Sequence, residues 1–298
     1  MTTLRDIGED ALIERLIQLV PRSASHAGGP GDDCAVIDTG SADIQLLKTD
    51  ALVEHIHFLP DASPRAVGWK SVARVISDFA AMGGNPEHFL VTLALAGSVE
   101  VPWIEEVYRC IGDCLGKFGG LLAGGETSGV PDGSAAVISI AATGSVPRDH
   151  LVLRSTAKAD ETVLVTGTLG GSLAGKHLDF TPRVAEAEWL VRHFKPTAMM
   201  DLSDGLAKDL PRLAAASDIG FRIDESALPL TPGADAKAAL GDGEDFELLF
   251  TLPADQVSAL LAQWPFPDVP VTPIGTTTPP DQGMKLSGGW DHFNSLGS

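Results

Sequence analysis

The chain is short of basic residues, of cysteine and of long apolar runs. Its 298 residues hold 21 Lys and Arg against 40 Asp and Glu, a formal net charge of −19. The basic residues do not cluster, so binding to nucleic acid or to an anionic membrane is not expected. There are three cysteines, Cys34, Cys110 and Cys114. An odd number in a chain this long argues against a disulfide framework, and Cys110 with Cys114 supplies too few ligands for a zinc site. No apolar run reaches about 18 residues, so no transmembrane span is expected. The opening "MTTLRDIGEDALIERLIQLV" carries charges throughout, unlike an export signal. Low-complexity segments and clean short repeats are also lacking. Together these absences point to the cytoplasm. An acidic protein that handles an anionic substrate needs bound cations to mediate, which is the first pointer to metal.

What is present is a composition of 44% hydrophobic and 20% charged residues, enough for a large core or for two domains. Strand-like and helix-like segments mix throughout, which gives an α/β or α+β class. Residues 8–20 read as a short helix. "CAVID" and "DIQLLKTD" read as strands. In "PRAVGWKSVARVISDFAAMGG" the apolar stripe Trp69, Val72, Ile76, Phe79 and Met82 predicts a helix that Gly83 stops. "HFLVTLALAG", "LLAGG" and "AAVISIAATGSV" read as strands and "VPWIEEVYRCIGDCLGKFG" as a helix. A polar stretch near residues 147–150 suggests a boundary between domains 1–148 and 149–298. Beyond it, "ETVLVTGTLGG", "TAMMDLSDGL" and "EDFELLFTLP" read as strands, and "ADQVSALLAQW" as a helix. Pro211 is expected to kink or limit the helix that follows Gly205.

Acidic clusters sit at the ends of these elements. They are "GPGDDCAV" with Asp32 and Asp33, "LLKTDALVEHIHF" with Asp50, "VISDFAAMGG" with Asp78, "LAGGETSG" with Glu126 in a tight turn, and "MMDLSDGL" with Asp201 and Asp204. Each has a plain structural explanation. Ser203 or Asp204 can cap a helix, Asp78 with Arg74 and Lys70 suits an exposed ion-paired helix face, and Glu126 can cap the segment after it. Converging carboxylates would repel one another unless cations sat between them, and hard oxygen ligands select Mg²⁺ or Ca²⁺. Adjacent glycines let phosphate oxygens approach the backbone. The set therefore reads as a metal-dependent phosphate site, for a nucleotide. Two other patterns are weaker. "GGSLAGKH" approaches a phosphate-binding loop, but His177 stands where the metal-binding hydroxyl belongs. His55 and His57 sit on an expected strand, and a pairwise zinc site there is not expected, because two histidines supply too few ligands.

Seven segments in order, "GPGDDCAV", "TDALVEHIHF", "SDFAAMGGNP", "LAGGETSG", "LRSTAKADETVLVTGTLGGS", "MMDLSDGLAKDL" and "GEDFELLF", resemble the thiamine-monophosphate kinase family of the aminoimidazole ribonucleotide synthetase superfamily. The resemblance runs from about residue 7 to "GGWDHF". It implies a two-domain fold: an N-terminal α/β domain whose sheet pairs with its copy in a homodimer, and a C-terminal α+β domain. It also implies ATP in the cleft, several Mg²⁺ ions, and phosphoryl transfer from ATP to thiamine monophosphate. By position, it assigns Asp32, Thr49, Asp50, Asp78, Glu126, Asp201 and Asp204 to metal, with Asp50, Asp78 and Asp204 at the reacting centre. Tyr108, Gly125, Arg154 and Ser203 fall to the nucleotide, and His57, Glu244 and Trp290 to the thiamine substrate.

The sequence departs from the family at four places. Lys48 precedes "TD" where a hydroxyl residue is usual, Glu126 replaces Asp, His55 stands where glycine is usual, and the stretch from Gly175 to Pro182 is short. Two further readings stay open at this stage. One is a sibling enzyme that activates another acceptor with ATP. The other is a paralogue that binds nucleotide or thiamine phosphate without turnover, for which Lys48 and Glu126 are the support.

Overall fold

A computed structural model describes residues 2–21 and 31–293; Gly29 and Pro30 of the "GPG" turn lie outside the described residues. The helices are α1 (Leu4–Ile17), α2 (Pro64–Ala81), α3 (Val101–Phe118), α4 (Lys176–Asp179), α5 (Val184–His193), α6 (Leu206–Ala216), α7 (Ala236–Gly241) and α8 (Val257–Gln263). The strands are β1 (Ala35–Ile37), β2 (Asp43–Val53), β3 (Asn85–Ala96), β4 (Leu121–Val130), β5 (Val137–Pro147), β6 (Glu161–Thr166), β7 (Ala198–Asp201), β8 (Gly220–Ile223), β9 (Leu248–Pro253) and β10 (Val271–Thr278). They form two five-stranded sheets, β1-β2-β5-β3-β4 and β7-β9-β6-β10-β8. In the first sheet only the β3–β4 pair is parallel. The second is antiparallel throughout.

Strand alternation gives the first sheet one buried face and one open face. Ile44, Leu46, Leu52, Phe89, Val91, Ile138 and Ile140 pack into one core with the α2 stripe of Val72, Ile76 and Phe79. Each such side chain, fully withdrawn from water, contributes about 1.5–3 kcal/mol, so this face fixes the register. The opposite face leaves Leu47 and Leu90 exposed, and the whole of β4 except Val130 is exposed. The C-terminal end of α2 runs on into the second half of the chain. Ala80 and Ala81 pack with Leu164, Leu190, Phe250 and Leu252. One helix is thereby clamped between the two sheets, and the acids it carries are brought to their junction.

Four local expectations are corrected. The first helix is Leu4–Ile17, broken at Gly8, whose φ is 74°. Glu126 lies in no tight turn, because β4 continues through both glycines to Val130. Gly125 is there for proximity: a Cβ would sit 2.1 Å from the Val91 carbonyl oxygen of β3. His55 and His57 are not on a strand. β2 ends at Val53 and the chain turns back, with the His55 amide bonded to the Phe58 carbonyl at 2.8 Å. Finally, α6 runs through Pro211, because Leu206, Leu210 and Leu213 are buried and outweigh one missing backbone bond.

Candidate active site

At the junction lies a cavity of about 260 Å³, lined from the first half by β2 and α2 and from the second by the segments after β7 and α7. Alternation along β2 puts Lys48 and Asp50 on its inner side, with Leu46 and Leu52, and sends Thr49 to the exposed face. Asp78 projects from the last turns of α2 and is buried, which overturns the exposed ion-paired face as its explanation. Asp201 ends β7, also buried. Carboxylate oxygens of Asp33, Asp78 and Asp201 lie within 4.8 Å of one another. Three segments far apart in sequence thus meet in one acidic cluster.

Asp33, rather than Asp32, supplies the third carboxylate. Asp32 turns aside to accept the Arg154 backbone N–H at 2.8 Å. The two adjacent acids take different groups of one residue, the Arg154 backbone N–H and its guanidinium, and nothing in "GDD" alone distinguishes them.

The cluster is heavily neutralised by the chain itself. Lys48 Nζ donates to Asp78 Oδ1 at 2.7 Å. The Arg154 guanidinium pairs with Asp33 in a very short contact. Arg74 Nε lies 3.2 Å from Asp50 Oδ2, off the line of a hydrogen bond. Burial pulls the Lys48 ammonium down, but Asp78 and Asp50 outweigh it and keep Lys48 charged. Burial pushes Asp50 up, but Arg74 and Lys48 hold it below the usual carboxylate range. Among the described residues no basic side chain is bonded to Asp201; Ser77 Oγ donates to it at 2.6 Å. Burial and the neighbouring Asp33 charge push Asp201 up to about 7.

The His57 and Glu244 part of the cavity has a different character. Lys70, fully buried, donates to the His57 carbonyl at 2.6 Å and to Glu244 Oε2 at 2.8 Å. Glu244 Oε1 is buried and has no hydrogen-bond partner among the described residues. His57 Nδ1 accepts the Val53 N–H at 3.0 Å. Burial, with Arg74 and Lys70 nearby, drives His57 down to about 3. The ring is therefore neutral, and because Nδ1 accepts, its proton is on Nε2. Trp290 lines the same cavity, its backbone N–H bonded to the Asp204 carbonyl at 2.8 Å.

In the "DLSDGL" turn the capping belongs to neither Ser203 nor Asp204. Asp209, one turn into α6, accepts both of their backbone N–H groups at 3.0 and 2.9 Å. Gly205 at the helix mouth has φ 99°, which favours glycine. Ser203 and Asp204 are released to line the cavity. Asp204 pairs with Arg212 at 2.5 Å and Lys208 at 3.1 Å. Lys208 also reaches Glu9 of α1 at 2.8 Å, so the amino-terminal helix borders the site.

The other candidates lie elsewhere. Tyr108 is half-buried on α3, packed against the first core, and does not line the cavity. Gly125 and Glu126 are on the exposed edge strand, Glu126 opposite Thr92. The "GGSLAGKH" loop is not free to cradle a phosphate. Gly170 N–H is taken by Asp245, Gly171 N–H by Asp242, and Lys176 by Glu247 at 3.0 Å. Residues that the sequence reading did not single out are Lys70, Arg74 and Asp209, each a polar side chain buried by tertiary packing.

Comparison with known proteins agrees with this geometry. Residues 31–146 match the AIR synthase related protein N-terminal domain, and 141–284 its C-terminal domain. Thiamine-monophosphate kinase of Escherichia coli (strain K12) is 34% identical, covering 96% of this chain and 98% of that protein. The enzyme of the same name from Rhodopirellula baltica is 36% identical, over 84% of this chain and 83% of its own. A solved structure described as AaThiL complexed with AMPPCP and TMP superposes with a TM-score of 0.85 at 30% identity, over 98% of this chain and 99% of its own. The chain belongs to the thiamine-monophosphate kinase family.

Within the thiamine-monophosphate kinase family, the departures at Lys48 and His55 now have structural content. Lys48 lies inside the acid cluster. His55 has φ 68°, a left-handed conformation that costs a residue with a Cβ. His55→Gly is expected to stabilise the fold by about 1 kcal/mol, and a thermal melt of the variant checks this.

Proposed function

We propose that this chain transfers the γ-phosphoryl group of ATP to thiamine monophosphate, giving thiamine diphosphate and ADP. The observation that carries the reading is one cavity lined both by the acids Asp50, Asp78, Asp201 and Asp204 and by His57, Glu244 and Trp290, with Asp33 joining Asp78 and Asp201 in a cluster. The residues fit Mg²⁺: the donors are all carboxylate oxygens, buried and close enough to share one ion. Asp33, Asp78 and Asp201 would hold it, with Asp50 and Asp204 beside them. Bound there, it would neutralise charge on the transferring phosphoryl group.

The chain's own residues do the positioning. The acceptor is a phosphate oxygen, already anionic, so no strong general base is required. Ser203, which lines the cavity at the mouth of α6, and Arg154, now paired with Asp33, would meet the nucleotide phosphates. His57 offers a neutral Nε2–H donor toward the cavity. The unpartnered Glu244 Oε1 is an acceptor for an amino group of the substrate, and Trp290 an aromatic face for its cationic ring. Residues 1–148 and 149–298 would then be the two domains, both contributing side chains to the nucleotide-and-metal site. The open face of the first sheet, with Leu47, Leu90 and the β4 edge exposed, supports a homodimer formed through it. Thr49 and Glu126, which lie on that open side, would then border the partner. Among the described residues no helix is long and apolar enough to cross a membrane, and the acidic charge favours a cytoplasmic enzyme.

The test is direct. Incubation with ATP, Mg²⁺ and thiamine monophosphate should yield ADP and thiamine diphosphate in equal amounts, and a chelator should stop both. Calorimetric binding of thiamine monophosphate without product would instead make the chain a binding paralogue. Product from another acceptor alone would make it a sibling enzyme.

A further inference from the structure

Four carboxylates, Asp33, Asp50, Asp78 and Asp201, meet three basic side chains, Lys48, Arg74 and Arg154; Asp50, Asp78, Asp201, Lys48 and Arg74 line the cavity, and the Asp33–Arg154 pair adjoins them. Only one negative charge of that group is left over. Three of the four acidic charges are thus already offset by the chain itself, and the geometry shows where. Lys48 Nζ is 2.7 Å from Asp78 Oδ1. A metal on that oxygen, at about 2.1 Å, would lie at most about 5 Å from the ammonium. Like charges that close repel strongly in a buried site. Arg74 blocks Asp50 Oδ2 in the same way, from a side chain only 12% exposed.

We propose that Lys48 and Arg74 are resident cations that take the place of divalent ions on Asp78 Oδ1 and Asp50 Oδ2. The protein then binds a single divalent ion of its own, at Asp33, Asp78 and Asp201, besides whatever a nucleotide carries. Lys48 and Arg74 lie on neighbouring elements of one wall, β2 and α2, so the substitution is built into the fold. Lys48 and Arg74 need not move for the metal to enter, because Asp201, bonded to the Ser77 hydroxyl, and the second oxygen of Asp78 carry no basic partner among the described residues; on Asp33 the ion would share the carboxylate with Arg154. The inference takes the site as the phosphate-handling centre proposed above, but its metal count does not depend on which acceptor is used.

Mn²⁺ titration of the nucleotide-free protein, followed by electron paramagnetic resonance, reads the count. The unaltered chain should bind one tight Mn²⁺ per chain. Lys48→Thr and Lys48→Met should each bind two, and Lys48→Arg should stay at one. Equal counts in the unaltered chain and in both neutral variants would overturn the proposal. A second measurement needs no substitution. Acylation of Lys48, followed by mass spectrometry, should be unchanged by saturating Mg²⁺. Faster labelling in Mg²⁺ would show that the ion displaces the ammonium, which also overturns it. A chain that keeps one Mn²⁺ but makes no thiamine diphosphate refutes the kinase reading alone; one that makes it with two Mn²⁺ refutes this inference alone.

Discussion

Asp201→Asn is expected to lower the rate of thiamine diphosphate formation by about 10³-fold while raising the stability of the metal-free protein. The two effects have one cause. Asp201 is buried, close to Asp33, and among the described residues its carboxylate has only the Ser77 hydroxyl as a hydrogen-bond partner. Its charge is useful when a cation shares it and costly otherwise. The sign follows from linkage. Folding raises the Asp201 carboxyl from 3.8 to about 7, so its favourable contribution is complete below pH 3.8 and is lost as pH rises through 7. That displacement corresponds to about 4 kcal/mol at most. The neutral amide does not suffer this loss. Melting curves in chelator should therefore run together near pH 4 and separate progressively up to pH 7, with the Asn protein higher above it. Mg²⁺ should raise the melting temperature of the unaltered chain and leave the variant nearly unmoved. An unchanged pH profile would show that Asp201 carries no such burden.

Lys70→Met is expected to destabilise the fold by about 3–5 kcal/mol and to raise the KM for thiamine monophosphate at least about tenfold. Lys70 joins the two halves of the chain from α2: one ammonium ties the turn at His57 to Glu244. Its own charge is disfavoured by burial, which brings it down to about 8 even with Glu244 beside it. Removing it leaves a half-buried Glu244 carboxylate whose Oε2 loses Lys70 and whose buried Oε1 has no partner among the described residues. That orphaned charge is the main cost. The double variant Lys70→Met with Glu244→Gln should therefore recover much of the stability but none of the substrate affinity, and a double-mutant cycle on melting and on KM separates the two. Additive losses in both quantities would mean that the pair does not act as a unit.

These two residues also mark how far the sequence can be read. The α2 stripe, the strand alternation of β2 and the acids at element ends follow from local pattern, and the family resemblance follows from motif order. The rest needed the fold. Lys70 and Arg74 look like a solvated helix face beside Asp78, because four-residue spacing cannot say whether that face meets water or a second sheet. Asp32 and Asp33 are chemically identical neighbours, and only the chain direction after Gly31 sends one to Arg154 N–H and the other into the cluster. "GGETSG" has turn composition, yet Gly125 serves a close approach to β3, and the strand runs on. "GFRI" and "VTPIGTTT", which become β8 and β10, are too short or too polar to stand out. His55 adopts a glycine-like φ that its side chain gives no reason to expect.

The account rests on one buried cation site built from segments far apart in the chain. Its most direct test is a crystal of this protein grown with Mn²⁺ and a nonhydrolysable ATP analogue, with anomalous scattering recorded at the manganese edge. A peak about 2.2 Å from carboxylate oxygens of Asp33, Asp78 and Asp201, facing the analogue's terminal phosphate, is the predicted result. Manganese found only on exposed carboxylates, with those three acids bare and the nucleotide bound elsewhere, would contradict it.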